Sequence, residues 1–165
     1  MLELEYKLID DGTFSVSGYL GDEAVVEVPA EVDGVPVTVI ADGVFKDHPE
    51  ITEIRLPDSI TDLGEFVFDG CVNLRHIKLP ASLARLWGYT FVRCGVEELT
   101  LPTGVRSIPP FCFKDCKALK RLVCGAGLKK IHAWAFGGCD RLDELVCSPG
   151  VELHPQAFMS KELNT

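Results

Sequence analysis

Phenylalanine recurs along this chain at 45, 68, 91, 113, 136 and 158, with successive spacings of 23, 23, 22, 23 and 22. Other columns keep the same register. An aliphatic residue stands five before each of these phenylalanines, at Ile40, Leu63, Leu86, Ile108, Ile131 and Leu153. Four of the seven cysteines (Cys71, Cys94, Cys116 and Cys139) stand three after one. A further file runs Ile60, Leu83, Val105, Leu128 and Val151, and the pairs Leu56-Pro57, Leu79-Pro80 and Leu101-Pro102 recur in step, continued by Cys124-Gly125 and Cys147-Ser148. So many columns in one register dictate a stack of equivalent turns. A unit this short exposes an apolar face it cannot bury alone, and neighbouring turns bury it.

The local chemistry agrees. In Ile77-Lys78-Leu79 the alternation puts both aliphatics inward and Lys78 outward, as a half-buried strand requires. The proline that follows has no N–H to donate, so it ends the ladder and turns the chain. The stretch from Gly64 to Cys71 is too short for a stable helix, but one helical turn would bring Phe68 and Cys71 to the same side.

Each unit thus reads LxxIxLPxxΦxxI followed by a phrase such as GEFVFDGC or HAWAFGGC, with LRHIKL at 74–79 fitting an LxxLxL strand. This resembles the BspA-like bacterial leucine-rich-repeat family, over nearly the whole chain. The fold expected is an α/β repeat solenoid: a right-handed leucine-rich-repeat stack with a parallel concave β-sheet and short helical or 3-10 turns on the other side. An N-terminal β-hairpin cap is expected around Asp11-Gly12. Between Pro29 and Phe45 five residues are inserted around Asp33-Gly34 relative to the later units. The chain divides as one domain: cap and degenerate first unit over 1–33, repeats over 34–158, and a tail over 159–165.

Composition excludes several classes. Twenty-five acidic residues against 16 basic ones give a net charge of −9, which disfavours nucleic acid or an anionic membrane as partner. No apolar run approaches the ~20 residues that span a bilayer, so no membrane insertion is expected. The N-terminus shows no secretory signal.

Every cysteine occupies a core column: besides the four after phenylalanine, Cys124 and Cys147 replace the second strand leucine, and Cys112 aligns with Val67, Thr90 and Ala135. Cα atoms on adjacent rungs, ~4.8 Å apart, permit a disulfide, but parallel side-chain vectors oppose its torsion, so reduced, buried thiols are expected. These suit a reducing, cytoplasmic compartment; a fragment of a longer protein could instead belong to the cell surface or be secreted. His132 and His154 share a column without a third ligand column and read as surface histidines. No GxSxG, HExxH or GxxxxGK[ST] occurs, and CGAG at 124–127 opens no helix, so neither an enzyme nor a cofactor is expected.

Outward positions carry what remains. Thr52-Glu53, Arg75-His76, Glu97-Glu98, Lys120-Arg121 and Asp143-Glu144 alternate in sign down the stack, a self-compensating face. The next outward column reads Arg55, Lys78, Thr100, Val123 and Val146, and an aromatic column reads Phe66, Tyr89, Phe111 and Trp134, with Trp87 nearby. Arg55, Lys78, Val123, Val146 and the four aromatics are the candidate partner-binding residues, packing being the alternative role of the aromatics. The expected function is a non-catalytic protein-protein interaction module of unknown partner; the resemblance implies the adhesion and host-protein binding of BspA-like repeats. The alternative is structural self-association through an open C-terminal edge strand.

Overall fold

The computed structural model describes residues 3–160. Residues 1–2 of the expected cap and 161–165 of the expected tail lie outside the described residues.

The chain opens on an antiparallel hairpin of β1 (Leu4–Leu8) and β2 (Phe14–Tyr19). Gly12, at φ 85°, supplies the left-handed residue of its turn. β3 (Val25–Glu27) begins the solenoid, and the five inserted residues form a second hairpin, β4 (Glu31–Val32) with β5 (Val35–Ile40). Its two-residue connection, Asp33 and Gly34, has φ of 50° and 79°, the positive pair that such a tight hairpin demands.

Each later turn contributes two short strands. The first has three residues: β6 (Glu53–Arg55), β8 (His76–Lys78), β10 (Glu98–Thr100), β12 (Arg121–Val123) and β14 (Glu144–Val146). The second has two: β7 (Asp62–Leu63), β9 (Arg85–Leu86), β11 (Ser107–Ile108), β13 (Lys130–Ile131) and β15 (Glu152–Leu153). Except between β8 and β10 and between β9 and β11, each pairs in parallel with the equivalent strand of the adjacent turn, Ile54 against Ile77 and Ile131 against Leu153, for example. The central residue of each three-residue strand faces the core, so its flanking residues face water.

Between the second strand and the next first strand runs the phenylalanine phrase. Phe45, Phe68, Phe91, Phe113, Phe136 and Phe158 form one continuous file of stacked rings, with centroids 5.1–6.1 Å apart. The first five are fully buried. The aliphatic files lie beside them in a single core.

The expected helical turns are not what this phrase forms: among the described residues the structure has no helix. The reason is an alternation of backbone bonds. Phe68 N–H donates to Thr90 O, and Gly70 N–H to Val92 O, on the following turn, whereas Asp69 and Cys71 donate back to Phe66 and Phe68 within their own. The same pattern recurs at Phe91 and Phe113, and Phe136 N–H likewise donates to Ala157 O on the following turn. Sending alternate amides to a neighbour needs left-handed residues four apart, and these are Phe66 with Gly70, Tyr89 with Arg93, Phe111 with Asp115, and Trp134 with Gly138. A helix would close every bond on itself; stacking satisfies the same groups between turns.

The expected single ladder is also interrupted. β3-β6-β8 and β10-β12-β14 are separate sheets, and β7-β9 separates from β11-β13-β15 at the same level. Here the unit is one residue short: Cys71-Val72-Asn73-Leu74 is answered by Cys94-Gly95-Val96. The Arg75 guanidinium fills the gap, Nη1 donating to Val72 O at 2.9 Å and to Gly95 O. On the second strand the cause is Pro109. Its equivalents Trp87, His132 and His154 donate N–H to the preceding turn, and proline has none to give.

Candidate interaction surfaces

The register assembles the outward columns. Arg55 pairs with Lys78, and Thr100 with Val123 and then Val146. Val123 and Val146 are therefore side by side, half-buried and 44% exposed respectively. Arg55 is tied by Nε to Glu53 Oε1 at 2.7 Å and lies 3.9 Å from Glu27. Lys78 is exposed and has no ion pair among the described residues. A shallow cleft of about 540 Å³ opens over these strands, lined by Glu53, Arg55, Asp58, Arg75, His76 and Lys78. Beside it, where the ladder is interrupted, a second cleft of about 310 Å³ runs between Lys78 and Thr100.

The alternating charges pair across turns as their order implies. Arg121 Nε reaches Glu144 Oε2 at 2.9 Å, and Arg75 Nε lies 3.8 Å from Glu97. Such exposed pairs contribute ~0–1 kcal/mol each and leave a nearly neutral stripe.

The aromatic column is a ladder. Phe66, Tyr89, Phe111 and Trp134 stack at centroid distances of 4.7, 4.9 and 5.3 Å, with interplanar angles of 8–16°. Each sits at φ 58–63°, and the same station in the first turn is Gly43 at φ 67°. A bulky residue in the left-handed region costs roughly 1–2 kcal/mol, which ring stacking offsets. Lys46 Nζ lies 5.3 Å from the Phe66 centroid, so that face is occupied as well. Ring edges, more than ring faces, meet solvent. The left-handed requirement is a feature that the sequence reading missed; the glycine at 43, in register with the aromatics, is the signal for it.

Trp87 is 45% exposed, with Arg85 packed over its ring at 5.8 Å. His132 and His154 follow register partners, and His154 Nδ1 accepts the N–H of Gln156. Among the described residues no group of three or more His, Cys, Asp or Glu could hold a metal.

All seven cysteines are free thiols; Cys139 and Cys147 are partly exposed and the other five buried. Cys71, Cys116 and Cys139 each donate to the carbonyl of a phenylalanine one turn back, at 2.9–3.0 Å. Burial pushes the Cys94 thiol up to about 12 and raises those of Cys71, Cys112 and Cys116 as well.

The model of the BspA-type leucine-rich-repeat region matches residues 38–164 in six copies. The chain belongs to the BspA-type leucine-rich-repeat family. Among solved structures it is similar to the leucine-rich-repeat protein of Treponema pallidum, at 25% identity and TM-score 0.75, covering 91% of this chain and 82% of that one. A Bacteroides ovatus leucine-rich-repeat protein aligns at 24% identity and TM-score 0.69, over 95% of this chain and 49% of its own length. A leucine-rich cell surface protein of Faecalibacterium prausnitzii aligns at 21% identity and TM-score 0.62, over 87% of this chain and 53% of that one. This chain thus spans about half the length of the latter two. No curated protein matches it. Among the described residues no helix is long and apolar enough to cross a membrane.

Proposed function

We propose that this BspA-type repeat chain is a non-catalytic protein-binding module that docks its partner on the solvent side of the three-residue strands. One observation carries the reading. The columns that repeat are buried, whereas Arg55, Lys78, Thr100, Val123 and Val146 differ from turn to turn and lie together in solvent. Repeat folds keep the core constant and vary the surface when that surface recognises something. Cationic Lys78 beside a cleft and the Val123–Val146 pair suit a polypeptide with an acidic and an apolar element. The aromatic edge at Phe66, Tyr89, Phe111 and Trp134 is a second docking element. The Faecalibacterium prausnitzii relative is a cell surface protein, which favours an adhesive use of this surface, while the buried thiols favour a reducing, cytoplasmic setting.

The test compares wild type with Lys78→Glu/Val123→Glu, and separately with Trp134→Glu, in pull-downs. The strand variant is expected to reduce recovery of a specific protein by about tenfold at unchanged melting temperature. Identical recovery from wild type and both variants sinks the proposal.

A second reading rests on the last turn. Leu153 and Phe158 are 47% and 50% exposed there, so the aliphatic and phenylalanine files end in solvent among the described residues. This favours self-association through that edge. Light scattering at high concentration that shows only the 18.1 kDa monomer rejects it.

A further inference from the structure

Two thiols depart from the pattern of the others. Cys71, Cys116 and Cys139 hydrogen-bond to phenylalanine carbonyls, but Cys147 Sγ donates to Cys124 Sγ, 2.8 Å away. They follow Val123 and Val146, which are register partners in adjacent parallel strands, and Cys124 N–H donates to Val146 O at 2.8 Å. Cys147 is partly exposed and Cys124 is 8% exposed, so a small oxidant reaches the first and the second lies directly behind it.

We propose that Cys124 and Cys147 are a redox-modifiable pair that closes to an intramolecular disulfide and fastens the last two turns together. The backbone spacing of neighbouring parallel strands, ~4.8 Å, falls within the Cα range that a disulfide spans, and the two sulfurs need to close from 2.8 Å to about 2.05 Å. The sequence reading set parallel side-chain vectors against such a bond; in the structure the two side chains converge. β14 pairs only with β12 among the described residues, so one side of it is free to adjust. The other adjacent-turn thiols form one file, Cys71, Cys94, Cys116 and Cys139, and differ: Cys71, Cys116 and Cys139 are held on phenylalanine carbonyls, and Cys71, Cys94 and Cys116 are buried.

The oxidant is a low-molecular-weight disulfide such as oxidised glutathione. The Cys147 thiolate attacks one glutathione sulfur, forming a mixed disulfide and expelling one glutathione thiolate, which takes up a proton. The Cys124 thiolate then attacks Cys147 Sγ, forming the intramolecular bond and expelling the second glutathione. Two cysteine sulfurs are oxidised, one glutathione disulfide is reduced to two thiols, and reduced glutathione reverses the exchange.

The experiment incubates folded protein in glutathione buffers of increasing oxidised fraction, quenches with acid, blocks free thiols with N-ethylmaleimide in denaturant, and maps tryptic peptides without reduction. The expected product joins the peptide 122–129 to the peptide 142–161, two hydrogens lighter than their sum, with the other five cysteines alkylated. Cys124→Ser is expected to stop at a glutathione adduct on Cys147, and Cys147→Ser to leave Cys124 alkylated. Recovery of both peptides singly alkylated at every ratio overturns the proposal. So does a persistent glutathione adduct on wild-type Cys147, or cross-linking of Cys116 to Cys139 in place of this pair.

Discussion

Arg93 grips the buried carboxylate of Asp69 through two nitrogens on one oxygen: Nε lies 2.8 Å and Nη2 2.7 Å from Oδ1. Lys46, on the preceding turn, lies 3.7 Å from Oδ2, so three consecutive turns are tied through one side chain that is only 4% exposed. Arg93 also occupies a left-handed station, at φ 55°, where the second turn has Gly70 and the fifth has Gly138.

Removing the guanidinium leaves a buried carboxylate with one distant cation. Arg93→Ala is expected to lower stability by about 2 kcal/mol, because the arginine is half-exposed and its loss lets water in part replace it. Arg93→Gly is expected to cost about 1 kcal/mol less, since glycine removes the left-handed penalty. Urea denaturation of the two variants checks the order.

The same logic separates stacking from strain in the aromatic ladder. Tyr89→Ala loses both ring contacts and keeps the strained backbone; Tyr89→Gly loses the contacts and adopts the residue that the first turn uses at Gly43. Glycine is expected to be the more stable variant by about 1 kcal/mol, against its usual ranking below alanine. Thermal melts that rank alanine above glycine contradict the assignment.

Position along the phenylalanine file sets the cost of cutting it. Phe91, fully buried with a ring on each side, is expected to cost ~3–5 kcal/mol on replacement by alanine. Phe158, half-exposed and stacked only on Phe136 among the described rings, is expected to cost about 1–2 kcal/mol. Equal losses in denaturant titrations would mean that the file does not carry the core.

The buried thiols make the fold sensitive to alkali. An unfolded cysteine ionises near pH 9, whereas in the native chain Cys94 holds its proton up to about pH 12. The native state therefore retains protons that the unfolded state gives up, and stability falls as pH rises above about 9. At about pH 10 each such thiol contributes a loss of about 1.4 kcal/mol. Melting temperature measured from pH 7 to 11 checks the sign. With a thiol-titrating disulfide reagent near neutral pH, Cys139 and Cys147 are expected to react in the folded chain and the remaining thiols only on unfolding.

Gly95 is the residue that the shortened unit requires. A Cβ there would collide with Val72 O and Arg75 Nη1. Gly95→Ala is expected to cost about 1–3 kcal/mol by forcing the two turns apart. A crystal structure of the variant should show Arg75 displaced from its carbonyls.

How much of this was readable from the sequence depended on how many residues carried each signal. The phenylalanine and aliphatic files rest on five or six copies each and the cysteine file on four, and the structure stacks them as the spacing implies. The Asp11-Gly12 hairpin was readable because its turn chemistry is local. The two-residue strands were not, because one inward residue such as Leu63 or Ile108 shows no alternation. The aromatic left-handed station was hidden because aromatics hold it in four turns and Gly43 alone marks it, although Gly70 and Gly138 mark its companion four residues on. The 22-residue spacing marked the interruption near Gly95, but its effect depends on Arg75 and Pro109, which act through the stacked neighbour. For the candidate surface, the columns were readable and the register places them side by side, but which column a partner contacts is a property of that partner.

The interruption at Gly95 has a mechanical consequence. Both strand ladders are broken at one level, yet Phe91 N–H still donates to Cys112 O and Arg93 N–H to Lys114 O across it, and Phe91 stacks on Phe113. The phenylalanine side stays continuously bonded, whereas the strand side is held only near Gly95, by the Arg75 guanidinium and the Gly95 N–H on Cys71 O. Bending about the bonded side would therefore change the distance between Lys78 and Thr100. A ligand wedged at that level would set the curvature of the whole rod.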